Sequence, residues 1–126
     1  MMDYEERIEE FTRDGRNFMH IDLSNLHNND DVREIFEAAL RRMEKYPAKS
    51  LYTITDIENI LFDTVTKEIA GNGMKRNEPY VKYGSVIGLD GIKKIMVNAV
   101  CKFSGRNNMQ FFYTREQAVA WLMQQE

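Results

Sequence analysis

The sequence predicts an α/β domain: a mixed sheet of about five strands with flanking helices, in the order ββαβαβαβα. Three observations lead there. Apolar positions alternate with a period of two in some stretches and recur at i, i+3, i+4 in others. Turn and cap residues fall where one pattern gives way to the next. After an opening hairpin, strand and helix patterns take turns, which requires βαβ crossovers and so a largely parallel sheet. The 126 residues fit one domain spanning 1–126.

Tyr4, Ile8 and Phe11 recur at helical spacing. Asp14-Gly15 is nevertheless a strong turn signal, and a run follows it in which Met19, Ile21 and Leu23 alternate with Phe18, His20 and Asp22. An opening β-hairpin is therefore favoured over an N-terminal helix. Asn28-Asn29-Asp30-Asp31 offers caps and negative charge to a helix start. Val32, Ile35, Phe36, Ala39, Leu40 and Met43 supply its apolar stripe, and Pro47 ends it. Residues 50–57 are rich in β-branched and aromatic types and read as a strand. Asp63 can cap a second helix from Thr64, with Val65 and Ile69 turned inward and Gly71 and Gly73 weakening it. Residues 82–89 read as a short buried strand. Asp90 then caps a third helix, with Ile92, Ile95, Met96, Ala99, Val100 and Phe103 inside and Gly105 closing it. Met109 to Tyr113 is the last strand. Thr114 and Gln117 make a capping box for a final helix that buries Ala118, Trp121 and Leu122.

Composition narrows the function classes. Hydrophobic residues are 43% and charged residues 29%, as in a folded globular chain. No apolar run approaches the roughly 20 residues that span a bilayer, and the acidic start Met1 to Glu6 predicts no signal peptide. The single Cys101 excludes an internal disulfide and points to a reducing cytoplasm. A net charge of −3 argues against general nucleic-acid binding. Charge is polarised, with a net −7 over residues 1–37 and +5 over residues 67–106. Such polarity suits self-association, an anionic partner, or simply two solvated faces.

Two stretches resemble the STAS domain, named for sulfate transporters and anti-sigma factor antagonists, in its SpoIIAA-like branch. One runs from Leu51-Tyr52-Thr53-Ile54-Thr55-Asp56 through Phe62-Asp63-Thr64-Val65-Thr66. The other is Tyr80 to Gly91, continuing to Trp121-Leu122. The likeness spans about residues 4 to 123 and is shared with small bacterial proteins of that fold. It implies a mixed sheet flanked by helices and a non-enzymatic regulatory or binding role. In anti-sigma factor antagonists a helix begins at Asp-Ser-Ser-Gly, whose second serine is phosphorylated. Here Asp63 matches the aspartate and Thr64 the first serine. Val65 takes the phosphorylated position and Thr66 the glycine, so the usual acceptor is missing.

Asp63, Thr64 and Thr66 are the candidate switch or interaction residues, because a helix start offers free N–H groups to a phosphate on Thr64. The competing reading is a plain N-cap. Gly88-Leu89-Asp90-Gly91 lacks the spacing of a nucleotide-binding loop and reads as a turn with a cap. Val97 and Cys101 widen the apolar arc of the third helix to about 240°, where a one-sided helix needs ~100°. They mark a candidate interface, with a neighbouring helix, a second subunit or an apolar ligand left open as its cover. His20 and His27 have no ligand-spaced companions, so no metal or cofactor is expected. The pairs Glu5-Glu6, Glu9-Glu10 and Asp30-Asp31 read as solvated faces and caps. An enzyme would need His20, Asp22 and Cys101 to converge in one cleft. The leading expectation is thus a non-enzymatic regulatory or protein-interaction module with a protein partner. The second is a carrier or sensor of a lipid or other apolar small molecule.

Overall fold

The computed structural model describes residues 2–90, 95 and 107–126. A single 3-10 turn at Tyr4–Arg7 precedes the first strand, so the ambiguous opening segment resolves into a short turn and then a strand. Strands β1 (Ile8–Arg13) and β2 (Arg16–Asp22) form the antiparallel hairpin. Asp14 and Gly15 between them both take positive φ, 49° and 78°, as a two-residue type I′ turn requires. Helix α1 (Asn29–Met43) crosses to β3 (Leu51–Asp56), which pairs parallel with β2. Helix α2 (Thr64–Asn77) crosses to β4 (Val81–Ile87), again parallel. Strand β5 (Met109–Phe111) pairs parallel with β4, and α3 (Arg115–Gln124) ends the chain. The sheet order is β1-β2-β3-β4-β5. The expected third helix from Ile92 lies outside the described residues except for Ile95, which is helical but 73% exposed rather than inward.

Strand alternation sorts the core into two layers. Met19, Ile21, Leu23 and Leu51 face α1 and α2 and pack on Val32, Ile35, Ala38, Ala39 and Met43. Phe18, Tyr52, Ile54 and Ile87 face the other way and pack beneath Ala118, Val119 and Leu122 of α3. β3 is buried on both faces, as a central parallel strand must be. An aromatic row crosses the second face: Phe11 stacks on Phe18 at 4.9 Å between centroids, Phe18 meets Tyr52 at 5.6 Å, and Tyr52 meets Tyr83 at 6.3 Å.

Two expectations for α2 change. Val65 is not inward but 45% exposed, and the buried residues are Thr66, Gly71 and Met74. The capping interactions of Thr66, described below, fix the rotation of the helix and carry Val65 outward. Gly71 and Gly73 do not break the helix. A Cβ on Gly73 would stand 2.6 Å from Phe36 Cδ1, so glycine lets α2 close onto α1. The last strand also stops at Phe111, short of Tyr113, which is 71% exposed. The Thr114–Gln117 capping box forms as expected.

Candidate functional site at the start of α2

α1 and α2 both begin beyond the carboxyl ends of parallel strands, and their first residues meet. Asn28 caps α1, its side-chain oxygen accepting from the Asp30 N–H at 2.8 Å. Asp63 caps α2 from an extended backbone, its carboxylate accepting from the Thr66 N–H at 2.9 Å. The Asp63 N–H donates back to Thr66 Oγ1 at 3.3 Å, which completes a capping box. The hydroxyl proton of Thr66 lies between Asn29 Oδ1 at 2.6 Å and Asp63 Oδ1 at 2.9 Å. One proton serves one acceptor, and the shorter contact marks Asn29. The Asn29 amide donates to both Asp63 oxygens, at 3.2 and 3.4 Å. The Thr66 N–H first, and the Asn29 amide with it, hold the Asp63 carboxyl below its usual value.

The loops leading into the two helices are tied together as well. The Leu23 N–H donates to Asp56 O, the Asn25 N–H to Glu58 O and the Leu61 N–H to Leu26 O, each at 2.8 Å. On this support Thr64 is exposed at the first helical position. Leu61 and Val65 are exposed beside it in sequence, at 41% and 45%. The site therefore offers a free hydroxyl at a helix N-terminus and two uncovered aliphatic side chains.

Asp63, Thr64 and Thr66 come together within one turn, with Thr66 buried to 1% and Thr64 outside. Sequence reading missed Asn29 as the cross-link between the helices. It sits 34 residues from Asp63 and 37 from Thr66, and no local pattern spans that distance. The available signal was a second asparagine after Asn28, where one cap suffices. Val97 and Cys101 lie outside the described residues.

The other candidates have structural partners. Gly88 takes φ 80°, and a Cβ there would meet Asp56 Oδ1 and the Glu58 nitrogen at 2.7 Å, so the loop is a tight turn packed on the end of β3. His27 is exposed, while His20 is half-buried with Nδ1 2.7 Å from Arg115 Nη1. Among the described residues, no group of three His, Cys, Asp or Glu could hold a metal ion. Glu5 and Glu10 bind Arg42, and Glu9 binds Arg115. The Tyr46 hydroxyl donates to Glu10 at 2.5 Å, which pushes the phenol up to about 12. Between the sheet and α1 and α2 lies a cavity of about 60 Å³, lined by Phe36, Phe62, Thr66, Met74, Val86 and Met109 among others. Among the described residues, no helix is long and apolar enough to cross a membrane.

A mixed five-stranded sheet in sequential order, with α1 and α2 on one face and α3 on the other, is a SpoIIAA-like or STAS fold. Two solved structures are similar to it over most of the chain. One is an uncharacterised protein of the DUF3478 family with a SpoIIAA-like fold from Shewanella loihica, with a TM-score of 0.69, 12% identity and 91% of each chain covered. The other is an anti-sigma-factor antagonist (STAS) domain protein from Planctomyces limnophilus. Its TM-score is 0.59 at 15% identity, covering 92% of this chain and 97% of that one. At such identities the likeness establishes the fold. The sequence matches no protein-family model and no curated protein.

Proposed function

We propose that this chain is a non-enzymatic regulatory module of STAS type that binds a protein partner through the start of α2. The observation that carries the reading is the exposure of Leu61 and Val65 beside Thr64, on a helix start whose every cap is already satisfied. Uncovered aliphatic side chains on a rigid support are what a small protein interface uses as its centre. In this reading Asp63 is the cap, Thr66 the internal strut and Thr64 the exposed hydroxyl that a phosphate would occupy. The fold shared with an anti-sigma-factor antagonist domain supports a regulatory role. A cytoplasmic setting and a thiol-reducing environment fit the lone cysteine. The test is comparative capture from lysate by the wild type, a Leu61→Asp/Val65→Asp variant and a Lys45→Glu control, since Lys45 is exposed after the far end of α1. A partner held by wild type and control but lost by the double variant is expected. Equal recovery by all three would sink this interface.

The cavity beneath α2 favours a second reading, a carrier or sensor of an apolar small molecule. Its size limits the cargo. About 60 Å³ is under half of the roughly 150 Å³ that accepts a benzene ring in an engineered core. A lipid chain would therefore have to lift α2, whereas a compact apolar molecule needs less opening. Native mass spectrometry of freshly purified protein decides: a bound apolar mass supports a carrier, and a clean apo mass counts against it. Homodimerisation through Val97 and Cys101 is a separate proposal, which sedimentation at several concentrations tests.

A further inference from the structure

Among the described residues, α3 is the helix on the face of the sheet opposite α1 and α2, and an arginine holds each of its ends. At its carboxyl end, Arg16 Nη1 donates to Leu122 O at 2.9 Å and also to Gln125 O, while the guanidinium lies 5.1 Å above the Tyr52 ring. At its amino end Arg115, the first helical residue, reaches back to the hairpin. Its Nη1 is 2.9 Å from Glu9 Oε1 on β1 and 2.7 Å from His20 Nδ1 on β2, and its charge sits 4.9 Å above the Phe11 ring. The buried part of the apolar inner face between these anchors is Ala118, Val119 and Leu122, with Trp121 and Met123 partly buried beside them.

The contact at His20 is conditional. A guanidinium has donors and no acceptor, so it can hydrogen-bond Nδ1 only when that nitrogen carries a lone pair. The docked helix therefore needs the neutral ring, protonated at Nε2. The charged groups facing the ring, among the described residues, are Arg115 from α3, Glu9 opposite it on β1, Asp22 on its own strand and Asp56 at the end of β3. The three carboxylates favour an imidazolium, while Arg115 and partial burial oppose it.

We infer that His20 is a proton-operated latch on the amino end of α3. A solvent proton taken up at Nδ1 converts the acceptor into a donor and sets two cations at hydrogen-bond distance. Glu9, bound to Arg115 in the docked state, then turns to the imidazolium, and Arg115 loses both partners together. Without that anchor α3 tilts as one body about the Arg16 contacts at its carboxyl end, and the Trp121 ring shifts against Tyr83 and Phe112. Burial, then the Arg115 charge, holds His20 below its ordinary 6.5 in the fold. Docking is therefore favoured as pH rises and is lost as pH falls through the lowered folded value.

The molecule carries its own reporter. Trp121 is the only tryptophan, half-buried on α3, with its ring edge-on to Tyr83 at 5.8 Å and tilted against Phe112 at 5.7 Å. Tryptophan emission, far-UV circular dichroism and the His20 ring resonances are followed together from about pH 8 to about pH 5. The expected result is a red shift of Trp121 emission whose midpoint coincides with the His20 titration, with the sheet signal unchanged. His20→Gln offers Arg115 a neutral acceptor that does not titrate, and it should abolish the shift. Arg115→Gln should show the red-shifted emission already at neutral pH, and His27→Gln should behave as wild type. His20 titrating without a change in Trp121, a shift that survives His20→Gln, or loss of the sheet signal with the same midpoint would each overturn the latch.

Discussion

Thr66 shows how one hydroxyl sets the geometry of a site that it does not itself present. It is 1% exposed, caps α2 together with Asp63 and reaches Asn29 on the neighbouring helix. Thr66→Val keeps the shape and removes the hydroxyl. That leaves the Asp63 N–H and the Asn29 oxygen without their partner, at a cost of about 1–3 kcal/mol. Thermal melting should fall by several degrees, and an unchanged Tm would show that Asn29 and water replace the contact. Thr64, one turn position away but outside, obeys different physics. It sits at the positive end of the helix dipole, so Thr64→Glu should stabilise and Thr64→Lys destabilise the fold, each by roughly 0.3–1 kcal/mol. Urea titrations measure both, and effects of the same sign would remove the electrostatic basis for placing a phosphate there. The aspartate and threonines were legible in the sequence because caps are local. Their division into strut and exposed hydroxyl was not, because burial depends on α1, which lies elsewhere in the chain.

At the scale of the elements, α2 carries the clearest conflict between local preference and tertiary packing. Gly71 and Gly73 lower its intrinsic helicity, each by roughly 1 kcal/mol relative to alanine. For Gly73→Ala that gain competes with a Cβ placed 2.6 Å from the Phe36 ring, which forces the two helices apart. Overpacking a fitted contact costs about 1–3 kcal/mol, so the substitution should be neutral to destabilising rather than stabilising. Phe36→Leu removes part of the ring, and the double variant should recover more stability than the single effects sum to. Additive effects in urea melts would mean that Gly73 and Phe36 do not press on one another. α1 shows the opposite situation. Its stripe from Val32 to Met43 was readable because composition and period agree along its length, although Ala38 joins the buried set unannounced. The β-hairpin was readable for the same reason, since the Asp14-Gly15 turn and the alternation after it specify one register. Val65 was misread because an apolar residue at a helix start is inward by habit and outward here by the rotation the cap imposes.

At the scale of the whole molecule, the sequential strand order has consequences for both function and stability. Every described crossover lies on one face, so among the described residues the strand order shows no reversal and no topological switch point. The candidate site instead lies on a helix start and its loops, which suits a docking surface better than an enclosed reaction centre. Among the described residues the two core layers are unequal. The layer under α1 and α2 joins two long helices to the sheet, whereas α3 adds three buried apolar residues and two arginine anchors. Local opening follows the least apolar burial, so α3 should open below the free energy of global unfolding while β2 and β3 exchange only with it. Native-state hydrogen exchange at neutral pH should rank the α3 amides well below those of Ile21 and Ile54. Equal protection of α3 and β3 would mean that the second layer is as cooperative as the first, and α3 would then be part of a single folding unit rather than a cover that can be lifted from it.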